Sequence, residues 1–225
     1  MPTWLRVNVA NRLARTPSQW VDTFLRFRSG THNNQWVVTD LEKYSRSNTT
    51  EILMIEEAFD ISVVLNFTER FYKEGYVASY NVPVDQRIYD KLNYSACTVS
   101  YNLDGFTYDN DERAILFRKY HPMITDYASM QILLRTNEEE DKGDGLAPRN
   151  DLSTKERFAY GMIDMKVAHQ NTLKDGYIHT ISSPPYNETT QMPVFSWRDW
   201  PNGARMGMPD DWGFDWVQIP ISIEA

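Results

Sequence analysis

Gly75-Tyr76-Val77-Ala78-Ser79-Tyr80-Asn81-Val82-Pro83 is the stretch that most restricts what this chain can become. The pyrrolidine ring of Pro83 sets its own φ and drives Val82 towards extended conformations. A carboxamide beside such a rigid point, flanked by aromatic side chains, can be locked with its NH2 group aimed in one direction. That is what an oxyanion hole requires of a donor, although a buried structural Asn in a turn satisfies the same residues.

Around it the chain reads as alternating helices and strands. Thr16-Pro17 before Ser18-Gln19-Trp20-Val21 has the form of a helix start, with Pro at the first helical position. Trp20, Phe24 and Phe27 share one face of that helix, and Gly30 is expected to end it. Gln35 to Leu41 reads as a strand, Ser45 to Thr50 as a polar turn, and Glu51 to Ile55 and Ile61 to Phe67 as two further strands. Thr68 to Gly75 reads as a short helix closed by glycine, and Asp85 to Leu92 as another helical turn. Arg113 is placed at the start of a helix. Asp126 to Thr136 is expected to be an amphipathic helix through Met130, Leu133 and Leu134, with Thr125 as its cap. Glu138 to Gly145 reads as solvated acidic surface. Gly161 to His169 and Gly176 to Ser182 read as strands, and Pro184-Pro185 as a loop. Trp197, Trp200, Trp212, Trp216, Phe195 and Phe214 read as core material in preference to a lipid-contacting patch.

At 225 residues, 41% hydrophobic and 13% aromatic, the chain can bury a substantial core, and 1–225 is read as a single domain. A formal net charge of -8 with no basic stripe argues against nucleic acid as a partner. No apolar run is long enough to cross a bilayer, and Met1 to Leu13 lacks the apolar region of a signal peptide. Glycosylation sequons stand at Asn48, Asn66, Asn93 and Asn187, against about two expected by chance, a mild argument for a secreted route.

Chemistry-bearing alternatives are weak. Cys97 is the one cysteine, so no intrachain disulfide is possible; it reads as a small buried hydrophobe. His32 has no partner in sequence that would make it a general base, and it reads as structural. Asp104, Asp109 and Asp111 lack the order of a calcium-binding loop. No cofactor or metal is expected. Gly-x-Ser-x-Gly, His-Glu-x-x-His, Cys-x-x-Cys and Gly-rich phosphate loops do not occur.

The Asn81 stretch has collinear companions: Val9-Ala10-Asn11, Ser29-Gly30-Thr31-His32-Asn33-Asn34-Gln35-Trp36, Arg113-Ala114-Ile115-Leu116-Phe117-Arg118-Lys119, Arg149-Asn150-Asp151-Leu152, Ile163-Asp164-Met165-Lys166-Val167 and Met206-Gly207-Met208-Pro209-Asp210. With them the chain resembles the phospholipase B-like family, the lamina ancestor relatives, over nearly its whole length. His32 stands where the family has Tyr, Glu112 where it has Pro, and the cysteines that relatives carry before Arg-x-Asp-Leu are absent.

The resemblance implies an α+β fold of the N-terminal nucleophile hydrolase type, an αββα sandwich in lysosomal or secreted glycoproteins. A precursor is cut to expose a Cys whose thiol attacks an acyl carbonyl, with its own α-amino group as base. The family's active-site Asn and Arg match Asn81 and Arg113. Asn33, Asn34 and Arg149 follow as substrate-binding candidates. The family's nucleophile lies on a segment before the part matched here. The chain is therefore expected to be the C-terminal portion of such a hydrolase, with an incomplete sandwich, inactive by itself, and partnered by the N-terminal fragment of its own precursor. The substrate implied is a phospholipid or another acyl-bearing small molecule. The alternative expectation is an inactive binding chain that keeps the framework.

Overall fold

The structure is a computed structural model that describes residues 1–96, 106–137, 145–159, 161 and 163–221. Cys97, Asp104 and most of the acidic loop from Glu138 therefore lie outside the described residues. The chain divides into two compact units, Met1–Ala114 and Ile115–Ala225. Both mix helices with small antiparallel sheets, an α+β arrangement.

In the first unit, β1 (Gln35–Thr39), β2 (Ile52–Glu57) and β3 (Ser62–Asn66) form an antiparallel sheet in that order. Every residue of the central strand β2 is buried. Alternation sends Leu53 and Ile55 to one face. There they pack with Ala10 of α1 (Thr3–Leu13) and with Val21 and Phe24 of α2 (Pro17–Phe24). Trp20 stacks on Phe24 with ring centroids 4.7 Å apart, and Trp36 closes on Phe24 at 5.1 Å. The opposite face is covered in part by Ile88 of α5 (Gln86–Lys91), which packs with Ala58 and Val63.

Helix α2 starts as its sequence requires. Thr16 is extended, its hydroxyl accepts from the Gln19 amide at 3.2 Å, and Pro17 occupies the first turn. It stops earlier than Gly30, because Phe27 takes a left-handed φ of 54° and its ring is exposed. This exit lets Arg28 reach back to Glu57 and to the Ala58 and Ile61 carbonyls. Helix α1 was not foreseen. Its only buried side chains are Thr3, Arg6 and Ala10, so it presents little apolar pattern; Arg6 lies over the Phe24 ring at 4.2 Å and pairs with Glu57 at 3.5 Å.

Two further boundaries differ from expectation. β1 ends at Thr39 because Asp40 turns the chain into α3 (Leu41–Ser47), accepting from the Lys43 amide at 2.8 Å. The expected turn at Ser45 to Thr50 is the exit of that helix, made by left-handed Asn48. By contrast α4 (Thr68–Glu74) ends as expected at Gly75, whose φ of 83° favours a residue without Cβ.

In the second unit, Leu116, Leu133 and Leu146 form one apolar cluster, and Ala147, Met165 and Ile181 form another. The helix Tyr127–Leu134 is capped by Asp126, not Thr125. The Asp126 carboxylate accepts from the Ser129 amide at 2.8 Å, while the Ser129 hydroxyl takes the Asp126 and Thr125 amides. β4 (Asp164–Val167), β5 (Tyr177–Ser182) and β8 (Val217–Pro220) make an antiparallel sheet. The strand expected from Gly161 is therefore shorter: Gly161 instead bridges to Arg149, and His169 caps the helix Gln170–Lys174. β6 (Phe195–Ser196) pairs with β7 (Asp211–Trp212). Of the C-terminal aromatic residues read as core, Phe195 is buried, the four tryptophans are half-buried and Phe214 is exposed. Phe195 and Trp212 belong to a two-stranded ribbon, which cannot bury both of its faces, and Trp216 packs against the Ala147, Met165 and Ile181 cluster.

Candidate active site

Asn81 sits between buried Tyr80 and buried Val82-Pro83 and is itself exposed. Its φ is 61°, left-handed and not the extended form expected of the stretch. Asn tolerates this region better than most residues, because its short polar side chain can bond locally. The turn is held from several sides. Tyr94 donates its phenol proton to the Asn81 carbonyl at 2.6 Å. Gln35 of β1 donates to the Val82 carbonyl at 2.8 Å and takes the Ser79 hydroxyl on its amide oxygen. Behind Pro83, Glu56 of β2 accepts from the Val84 and Asp85 amides at 2.7 and 2.8 Å and from Gln35 at 2.6 Å. Glu56 is 1% exposed. A buried carboxylate is tolerated when its oxygens are filled by donors in this way.

The second expected residue determines how the first is oriented. Arg113 lies in the first turn of the helix Glu112–Tyr120, and its Nη1 donates to Asn81 Oδ1 at 3.0 Å. Its Nη2 donates to the Tyr80 carbonyl, and Nε and the main-chain amide both donate to Asp111 Oδ1, at 3.2 and 3.0 Å. Asp111 is thus the carboxylate paired with Arg113. A guanidinium has no acceptor, so the carboxamide atom facing it must be oxygen. The Asn81 NH2 group is then the part left to donate to an outside acceptor.

Asn81, Asn33 and Asn34 line one cavity of about 150 Å³ together with Gln35, Glu56 and Tyr94. Asn33 donates to the Gly30 carbonyl at 3.1 Å while its own Oδ1 is buried with no hydrogen-bond partner. Asn34 bonds His32 Nε2 at 2.9 Å, an exposed pairing. Beneath the loop, Tyr80 and Tyr108 pack at 5.1 Å, and the Tyr108 hydroxyl donates to the Ala78 carbonyl. Burial raises both phenols, Tyr108 to about 12, so they remain neutral donors over the physiological range. Arg70 lies over the Tyr108 ring at 5.1 Å and pairs with Asp109 and Glu74. Among the described residues no three His, Cys, Asp or Glu side chains are grouped to hold a metal ion.

Arg149 belongs to the second unit and is fully buried. Nε and Nη2 grip Asp151 at 2.7 and 2.6 Å, and Nη1 donates to the Pro185 and Pro193 carbonyls. All four sequon residues, Asn48, Asn66, Asn93 and Asn187, are exposed. No helix among the described residues is long and apolar enough to cross a membrane.

Sequence reasoning did not single out Gln35, Glu56 or Tyr94. One signal was available: Glu56-Glu57 continues the apolar run Ile52 to Ile55, and a carboxylate that prolongs a buried strand has to find donors. Tyr94 carries no such mark, since its role depends on a turn thirteen residues away.

The family described as Phospholipase B matches residues 1–219. The chain is 31% identical to Phospholipase B-like 1 of Homo sapiens and 30% identical to Phospholipase B of Crotalus adamanteus, in each case over 96% of its own length and 40% of the relative's. Phospholipase B-like 1 of Bos taurus is 31% identical, over 96% of this chain and 41% of the relative. The chain thus spans about two fifths of the length of the relatives it matches. By this match over nearly all its residues, the chain belongs to the phospholipase B family.

Proposed function

We propose that the complete protein is an acyl hydrolase, acting on the ester or amide bond of a phospholipid-like substrate, with Asn81 as an oxyanion donor. The observation that carries this reading is the Arg113 to Asn81 Oδ1 bond, which turns a carboxamide NH2 group outward beside a cavity. A donor whose orientation is set before the substrate arrives needs no reorganisation when negative charge develops on the carbonyl oxygen. Relatives named phospholipase B supply the substrate class.

In this reading a Cys thiol from another segment of the precursor attacks the acyl carbon and passes its proton to the free α-amino group of the same Cys. The tetrahedral oxyanion accepts from Asn81. Collapse breaks the bond to the leaving alcohol or amine, which takes that proton, and water then hydrolyses the thioester. Arg113 keeps the Asn81 amide in register. Asn33 and Asn34 line the substrate side. The complete fold is the αββα sandwich of N-terminal nucleophile hydrolases, to which this chain contributes antiparallel sheets, and the chain by itself is inactive. Secretion or lysosomal delivery, with glycans on the four exposed sequons, fits the same reading.

The test is turnover of an acyl ester by the complete mature protein carrying Asn81→Ala. Loss of one oxyanion donor should lower kcat by about 10²- to 10³-fold, with a modest fall in melting temperature because Ala tolerates the left-handed φ of 61° less well than Asn. Full turnover in a folded variant rules out the role.

A further inference from the structure

The second unit contains a cavity of about 610 Å³, lined by Arg135, Tyr186, Asp215, Trp216 and the apolar side chains of Ile132 and Ile181. Arg135 follows the helix Tyr127–Leu134 and donates from Nη1 to the Ser183 carbonyl and from Nη2 to the Pro184 carbonyl at 2.8 Å. Its partners are neutral, and it forms no ion pair among the described residues. Burial is the main cause that lowers the guanidinium to about 10, and the nearby positive charge of Arg149 adds to it. Arg135 is thus a cation that has lost much of its water without gaining an anion.

The same cavity has a carboxylate. Asp215 accepts from the Tyr186 hydroxyl at 2.8 Å and has no cationic partner among the described residues. Arg135 and Asp215 therefore share one wall system without pairing with each other, with the Tyr186 phenol and the half-buried Trp216 indole in the same lining. A ligand that bears one anionic and one cationic group on a short spacer can neutralise both. A guanidinium suits phosphate oxygens, and a carboxylate beside aromatic faces suits an ammonium.

We infer that this cavity binds a zwitterionic phosphodiester head group, its phosphate on Arg135 and its ammonium towards Asp215 and Trp216. The choice of a phosphodiester among zwitterions rests on the acyl-hydrolase reading above; the paired but separate charges do not.

The decisive experiment is calorimetric titration of glycerophosphocholine into the complete protein, with glycerol 3-phosphate and inorganic phosphate as comparison ligands. The expected result is saturable binding of glycerophosphocholine at least tenfold tighter than that of either anion. Arg135→Gln should weaken it tenfold or more, and Asp215→Asn should weaken glycerophosphocholine while leaving glycerol 3-phosphate unchanged. Absence of saturable binding, or equal affinity for phosphate alone, overturns the inference. If Arg135→Gln does not fold, Asp215→Asn decides: unchanged glycerophosphocholine affinity in that folded variant overturns it. A failed titration leaves the Asn81 assay standing, and a fully active Asn81→Ala enzyme leaves the titration standing.

Discussion

Two arginines, both in the collinear motifs of the chain, are used in opposite ways. Arg149, in the second unit, is fully buried, and its fork closes on Asp151 and on two carbonyls. Arg113, in the first, is about a third exposed and bonds Asn81 Oδ1, the Tyr80 carbonyl and Asp111. The Arg149 knot draws a loop and two prolines into one place and uses four of the five guanidinium N–H donors inside it. Arg113 holds a second side chain whose own donor stays available. One arginine therefore closes on its own partners, and the other orients a neighbour that keeps a free donor.

The sharpest way to break this comparison is Arg149→Ala. It strands the 5% exposed Asp151 carboxylate without its cation, and loss of one partner of a buried pair costs about 3–5 kcal/mol. Urea unfolding should show that loss. A variant that unfolds like wild type would mean that Arg149 is not the clamp of its unit.

Arg113→Lys has a smaller and different expected effect. It keeps the charge but loses the planar fork that joins Asn81, Tyr80 and Asp111. Misplacing the Asn81 amide should lower kcat roughly 10- to 100-fold with a stability change of about 1 kcal/mol. A large loss of stability with unchanged turnover would make Arg113 a clamp like Arg149 and erase the distinction.

The smallest effect separates two helix starts. Asp126 caps a helix in the second unit, and Thr16 caps α2 in the first. Hydrogen bonds from the Ser129 amide and then its hydroxyl hold the Asp126 carboxyl below its usual 3.8. A folded value below the unfolded one gives a contribution present above pH 3.8 and lost as pH falls through the folded value. Asp126→Ala should thus lower the melting temperature slightly at pH 6, and the gap from wild type should close below pH 3.8. Thr16→Ala should lower it by an amount that does not change with pH, since a hydroxyl does not titrate there. A pH-independent gap for Asp126→Ala would rule out the charged cap.

Local signals were legible. Thr16-Pro17 and Gly75 mark helix ends because capping and positive φ act within one turn of chain. The β-branched runs of β2 and β3 were readable for the same reason. Helix α1 was not, because its buried face is a charged residue, Arg6, whose place makes sense only opposite Glu57 and Phe24. The cap at Asp126 lost to Thr125 in sequence because both types cap helices, and the choice falls to which carboxylate or hydroxyl reaches the Ser129 amide.

The sequence by itself determined the family, the two site residues worth testing and the stiff stretch that ends in Pro83, since these rest on residue identity and on dihedral restrictions within a few residues. The tertiary structure alone decided how they are used. It made Asn81 left-handed, set Arg113 on the carboxamide oxygen, brought Asn33 and Asn34 to the same cavity and closed Arg149 on the Pro185 carbonyl. Hydrogen bonds across 30 or more residues of chain made those choices, and such bonds depend on where strands and turns meet in space, which the local order of residues does not encode.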